Sequence, residues 1–217
     1  GRNLFGDHSS FILVLLIPLY WLVSSTSLLF VVQSIVVAIG ALPVYWFSRQ
    51  RLRSEPLAAA MAGVYLLHPS IGWTNLENFH PDAALGTFVA FAIWAAFAGK
   101  WRWYWVAVVL ALSVKEDVAF VLAPLGLWVA MKADKKRGLL TSVASLATMA
   151  LMFLVVMRSF TGVAFRNSWR IPFGGLGGLL KTTFTQPAKL VAYLWSEDRP
   201  AYVLQMLAPV GFIFLYE

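Results

Sequence analysis

Apolar stretches of helix length alternate along this chain of 217 residues with two kinds of polar connector, and the two kinds take strict turns. One kind is basic: Arg49, Arg51 and Arg53, then Lys100 and Arg102, then Lys132, Lys135, Lys136 and Arg137. The other carries acids and histidines: Asp7 and His8, then Glu77, His80 and Asp82, then Lys115, Glu116 and Asp117. If each intervening stretch crosses a bilayer, every group with catalytic potential gathers on one side. With 60% hydrophobic and 12% charged residues, a water-soluble fold would have too little polar side chain to cover its surface. The chain therefore reads as an all-α, polytopic transmembrane helical bundle in a cell membrane, with the lipid bilayer as its first partner.

The net charge of +7 sits mostly in connectors and points to membrane orientation and phosphate binding rather than to nucleic acid. The absence of cysteine excludes disulfides and thiolate metal sites. Residues 11–23 are apolar but short, at about 20 Å for a hydrocarbon core of about 30 Å, and predict an in-plane or re-entrant helix. Full spans are expected over 28–47, 57–76 (kinked at Pro69), 83–98 and 139–157. Between the last two, 101–114 and 118–131 predict two short antiparallel helices, because one continuous helix would be too long and would put Lys132 to Arg137 on the wrong side. The expected organisation is a helical membrane domain over 1–157, a loop over 158–200, and the start of a further span over 201–217.

Nine Lys and Arg in the short connectors of one side face a single Lys115 on the other, so the positive-inside rule makes the first side cytoplasmic and the acid and His connectors extracytoplasmic. The 158–200 loop also falls outside and carries Arg158, Arg166, Arg170, Lys181, Lys189 and Arg199 against Glu197 and Asp198. Long loops translocate largely regardless of charge, and this one is placed to meet an anion. Gly174-Gly175-Leu176-Gly177-Gly178 lacks a following Gly-Lys-Ser/Thr, so it reads as a hinge or close helix contact. Trp101, Trp103, Tyr104 and Trp105 read as an interfacial aromatic belt.

Gly6-Asp7-His8-Ser9-Ser10, Asn78-Phe79-His80-Pro81-Asp82 and Val114-Lys115-Glu116-Asp117-Val118 resemble the bacterial predicted membrane-protein family called domain of unknown function twenty seventy-nine, over nearly the whole chain. That family is similar to the GT-C glycosyltransferases, enzymes that take sugars from polyprenyl-phosphate carriers at the outer face. The resemblance implies a first extracytoplasmic loop with a catalytic acid, then a helix along the membrane, which Asp7-His8 and residues 11–23 match in part. The first span and the early acidic part of that loop would precede Gly1, making the chain an excerpt of a longer protein. The resemblance also implies a lysine near the outer end of a later span that contacts the carrier phosphate, and Lys115 occupies a comparable place.

Each candidate has a second reading. Asp82 follows Pro81 at a helix start, where a carboxylate is favoured by the helix dipole without any catalytic role. Capping does not need an imidazole, so His80 is a candidate base or metal ligand; Glu77 reads as a solvated acid and His68 as a cap or a packed side chain. Lys115, Glu116 and Asp117 are costly near a bilayer unless they line a cavity, yet an ion pair closing the turn accounts for them too. Adjacent side chains on a helix diverge by about 100°, so at least one of the three is structural. Asp7 and His8 suit a divalent cation or sugar hydroxyls, or are plain interfacial polarity.

The leading expectation is a GT-C-like glycosyltransferase using a polyprenyl-phosphate-linked sugar, with His80, Glu116, Asp117 and Asp7 as catalytic candidates, Lys115, His8 and Asp82 as substrate-binding ones, and a divalent cation as the one candidate cofactor. The alternatives are a transporter or flippase of an anionic lipid-linked substrate, for which no internal repeat is evident, and a non-catalytic membrane scaffold.

Overall fold

The computed structural model describes residues 4–163 and 168–208, and among them every regular element is helical. Arg166 and the end of the expected last span, 209–217, lie outside the described residues. The chain divides into two compact units, Gly1–Gly162 and Val163–Glu217.

The first unit runs from α1 (Leu4–Asp7) through a 3-10 stretch, Phe11–Leu16, into α2 (Ile17–Leu22), then α3 (Thr26–Ile39), α4 (Ala41–Leu52), α5 (Glu55–Leu67), α6 (Pro69–Glu77) and a 3-10 turn at Pro81–Ala84. It continues with α7 (Leu85–Phe97), α8 (Trp101–Leu112), a 3-10 turn at Glu116–Val118, α9 (Ala119–Lys132), α10 (Lys135–Leu151), a π-helical stretch Met152–Met157, and α11 (Arg158–Thr161). Two continuous rods, Thr26–Leu52 and Lys135–Thr161, have 27 residues each and a mean hydropathy of 2.3, so at about 1.5 Å per residue both are long enough to cross a bilayer. Only 22% and 17% of their apolar windows is buried, so most of that surface faces outward. The Phe11–Leu22 segment is too short to cross and buries none of its side chains.

The basic connectors are tight turns. Arg53 closes α4 in a left-handed conformation and Ser54 caps α5; Gly99 (φ 67°) turns α7 into α8; Asp134 caps α10 by accepting from the Arg137 amide at 2.8 Å. Each turn lets its two helices pack as a hairpin, most extensively α9 on α10. There Gly126 and Gly138 bring the backbones together: a Cβ on Gly138 would strike Ala130 N and the Gly126 carbonyl, and the Ser142 hydroxyl donates to the Ala123 carbonyl at 2.8 Å. The two short helices expected over 101–114 and 118–131 are α8 and α9, but each takes its main partner from the other side, α7 and α10, because the turns at Gly99 and Asp134 are shorter than the connector between them.

Aromatic rings fill the core between α4, α7, α8 and α9. At the basic end the cations lie over them: Arg51 over Phe97 (4.9 Å), Lys100 over Trp94 (4.6 Å) and Arg137 over Trp101 (4.4 Å). One member of the expected aromatic belt is misassigned: Tyr104 is fully buried and shares a 2.7 Å hydrogen bond with Thr141 of α10, so it belongs to the core, whereas Trp103 is exposed. Midway along the first rod Gly40 leaves room for the Tyr65 hydroxyl, which donates to the Val37 carbonyl at 3.1 Å, while Thr87 donates to Val36 at 2.8 Å. These bonds satisfy carbonyls where the helix loosens ahead of Pro43.

The second unit, taken by itself, holds a 3-10 turn at Ser168–Arg170, then α12 (Leu176–Thr185), α13 (Pro187–Trp195) and α14 (Arg199–Leu207). The segment expected as a loop over 158–200 is thus helical for most of its length, beginning with the last turn of the second rod. Gly174 and Gly175 adopt positive φ, and a Cβ on Gly178 would strike the Phe173 carbonyl, so the glycine run makes a turn with close backbone approach.

Gly138→Ala should push the α9–α10 hairpin apart and cost about 1–3 kcal/mol as an overpacked contact. Gly63→Ala, with nothing within 4 Å, should be neutral or slightly stabilising. Thermal unfolding of the two variants in detergent compares them directly.

Candidate functional site

The ends opposite the basic turns are broken rather than tight, and the breaks hold the ionisable residues. Helix α5 stops at His68, whose ring caps α6 by accepting from the Ser70 amide at 3.2 Å, as expected for that histidine. Helix α6 ends at Glu77, and three non-helical residues, Asn78 and His80 among them extended, carry the chain to Pro81, which restarts it. A third break, Ser113 to Lys115, separates α8 from the turn that begins α9.

These breaks converge. Lys115 Nζ donates to Asp82 Oδ2 at 2.9 Å and lies 3.8 Å from Asp117 Oδ2, which places His80 to Asp82 and Lys115 to Asp117 at the same end of the unit. Asp82 stands in the first turn of its helix, and its carboxylate accepts from Lys115. Glu116 turns the other way and is buried, with 5% exposure. Its Oε1 accepts from His8 Nδ1 at 2.9 Å and its Oε2 from the Ser9 amide at 2.9 Å, while the Ile12 amide donates to the Ser113 carbonyl at 2.8 Å. The N-terminal segment is thereby stitched to the α8–α9 break. Asp7 ends α1 one residue before His8, and Glu77 lies exposed at the end of α6. The triplet therefore divides: Lys115 is extended and precedes the turn that begins at Glu116, so Glu116 points inward while Lys115 and Asp117 lie toward Asp82.

The electrostatics follow from these partners. Burial pushes the Glu116 carboxyl up, but the His8 hydrogen bond and the Ser9 amide outweigh it and hold the group below its ordinary 4.5. Burial pulls the Lys115 ammonium down, and the Asp82 hydrogen bond with the charges of Asp82, Asp117 and Glu116 overcomes it, so this lysine stays protonated above 10.5. Partial burial raises the Asp117 carboxyl above 3.8; Lys115 opposes this, and the Glu116 and Asp82 charges add to it. Among the described residues no three His, Asp or Glu side chains come close enough to hold a metal ion.

A residue absent from the candidates above organises the His80 side of the site. Gln33 of α3 is buried, and its amide nitrogen donates to the carbonyls of Thr74 (3.3 Å), Asn75 (3.3 Å) and Asn78 (3.0 Å), while its oxygen accepts from the His80 amide at 2.8 Å. It thus takes over the orphan backbone groups at the end of α6. The available signal was a lone amide inside a long apolar run, where a polar group needs a partner.

Beneath His80 lies an apolar cavity of about 230 Å³, walled by Ile12 and Leu16 from the N-terminal 3-10 stretch, Gln33 and Val36 from α3, and Phe88 from α7. A second cavity of about 200 Å³ shares Val36 and Phe88 and extends to Trp103. The ionisable cluster therefore borders an apolar volume: Pro81 and Ala84 line the first cavity and Asp82 sits between them in one turn.

Two outcomes test this geometry. Glu116 has a lowered folded value, so its stabilising bonds are complete above 4.5 and are lost as pH falls through that lower value; the Ser9 amide proton shift should show a titration step below 4.5 that Glu116→Gln removes. Gln33→Leu should strand the His80 amide and the α6 carbonyls, cost about 1–3 kcal/mol, and speed hydrogen exchange at His80 well before the α9–α10 hairpin opens.

The family described as Predicted membrane protein (DUF2079) matches residues 1–217, and the chain belongs to it. Comparison with curated proteins and with solved structures gave no match.

Proposed function

We propose that this membrane protein is a multi-pass, GT-C-like glycosyltransferase that takes a sugar from a polyprenyl-phosphate donor at the extracytoplasmic face. The observation that carries the reading is the junction of an ionisable cluster with an apolar cavity: a polyprenyl-phosphate donor has the same two halves, a charged head and a hydrocarbon tail. In this reading the tail enters the cavity beneath His80, and Lys115 exchanges Asp82 for the carrier phosphate. The exchange suits a lysine that its neighbours keep charged. His80, exposed at the cavity rim, faces the sugar, and Asp82 and Asp117 orient it through its hydroxyls. A histidine or carboxylate of the cluster takes the proton of the acceptor hydroxyl. The nine basic residues on the opposite connectors support the outward placement of the site.

A transporter or flippase needs charges near the bilayer centre and two similar halves, whereas the charges here sit at helix ends. Lys115→Ala and His80→Ala should each lower sugar transfer from a polyprenyl-phosphate donor by about 100-fold or more, with unchanged helical circular dichroism. Full transfer by both variants in proteoliposomes sinks the enzyme reading; lipid movement without transfer favours the flippase.

A further inference from the structure

Glu116 and His8 stand in the relation that makes an imidazole a base. The carboxylate is buried and both its oxygens are engaged, one by His8 Nδ1 and one by the Ser9 amide, so it has no freedom to rotate away. An ionised carboxylate accepts only, so the neutral ring must carry its proton on Nδ1 and leave Nε2 with a bare lone pair. Nε2 makes no hydrogen bond among the described residues, and the His8 side chain keeps 32% of its surface accessible. Lys115, which holds the other half of the cluster, is the backbone neighbour of Glu116, so the dyad and the Lys115–Asp82 pair share one connector. The Ile12–Ser113 backbone bond pins the same segment beside the cavity that Ile12 helps to line.

We propose that His8 is the general base of this site and that Glu116 orients it, an assignment that rests on the sugar-transfer reading above. His8 Nε2 takes the proton of the acceptor hydroxyl as its oxygen bonds to the anomeric carbon. The bond from that carbon to the phosphate oxygen breaks, its electron pair leaves with the carrier phosphate, and the proton passes from the imidazolium to solvent. Glu116 stabilises the imidazolium without itself being protonated, the role a buried carboxylate plays beside a catalytic histidine. Among the described residues the His80 ring pairs with no carboxylate, so it lacks a comparable means of fixing its tautomer.

The chain has only three histidines, which makes the tautomer directly measurable. In the full chain labelled with 15N-histidine and held in lipid nanodiscs, long-range proton–nitrogen correlations, assigned through His8→Gln and His68→Gln, should show His8 with protonated Nδ1 and bare Nε2. Glu116→Gln should invert this. The Ser9 amide claims the glutamine oxygen, so the glutamine NH2 is left facing Nδ1 and forces the proton onto Nε2. In proteoliposomes with a polyprenyl-phosphate-linked sugar, Glu116→Gln and His8→Gln should lower kcat by about 100-fold or more, with donor KM changed less than about threefold, and should remove the acid limb of the pH–rate profile. Wild-type His8 found with its proton on Nε2, or His8→Gln transferring at the wild-type rate with an unchanged profile, overturns the assignment while leaving the transfer reading intact. A wild type that binds and transfers no lipid-linked sugar overturns both, whatever the tautomer.

Discussion

A helix can break inside or beside a bilayer only where something other than water takes over the hydrogen bonds it abandons. In this protein Gln33 does so for the end of α6, binding three carbonyls and one amide with a single side chain. Without that acceptor and donor pair, the extended stretch before Pro81 would leave its backbone polar groups unmet, and His80 would have no fixed place. The same logic recurs at His68, which caps the start of α6, and at Glu116, which takes up the Ser9 amide. The candidate site is therefore a set of helix interruptions, each held by a side chain.

The two ends of the first unit solve opposite problems. At one end short turns close helical hairpins, and the basic side chains there lie across aromatic faces, which leaves their charge near the surface while their stems cover the core. At the other end the connectors are longer, and ionisable groups meet one another: Lys115 pairs with Asp82 and Asp117, and the His8 ring hydrogen-bonds to the Glu116 carboxylate. The end built of interruptions holds an apolar hollow bordered by ionisable groups.

Much of this was legible in the chain because hydropathy and charge alternate with long, unambiguous period. The helical class, the shortness of residues 11–23 and the gathering of Asp82 with Lys115 all follow from that pattern. What stayed hidden depends on contacts between distant residues. Nothing local distinguishes Glu116 from Asp117, and only the fold sends the first toward His8 and the second toward Lys115. Tyr104 looked interfacial because its neighbours are charged and aromatic, yet its face of α8 meets Thr141. Residues 158–200 read as a loop between spans, but Gly175 and Pro187 there begin short helices rather than prevent them.

The hairpins and the site also differ in the span of chain they must close. The turns between α4 and α5, α7 and α8, and α9 and α10 bring together neighbours in sequence, whereas the His8–Glu116 bond joins positions 108 residues apart. Closing so long a segment costs chain entropy that local pairs do not face, and nothing compensates it until the intervening helices are already in place. The imidazole therefore meets its carboxylate only after the rest of the unit has assembled, so an immature or misassembled copy lacks the pair altogether.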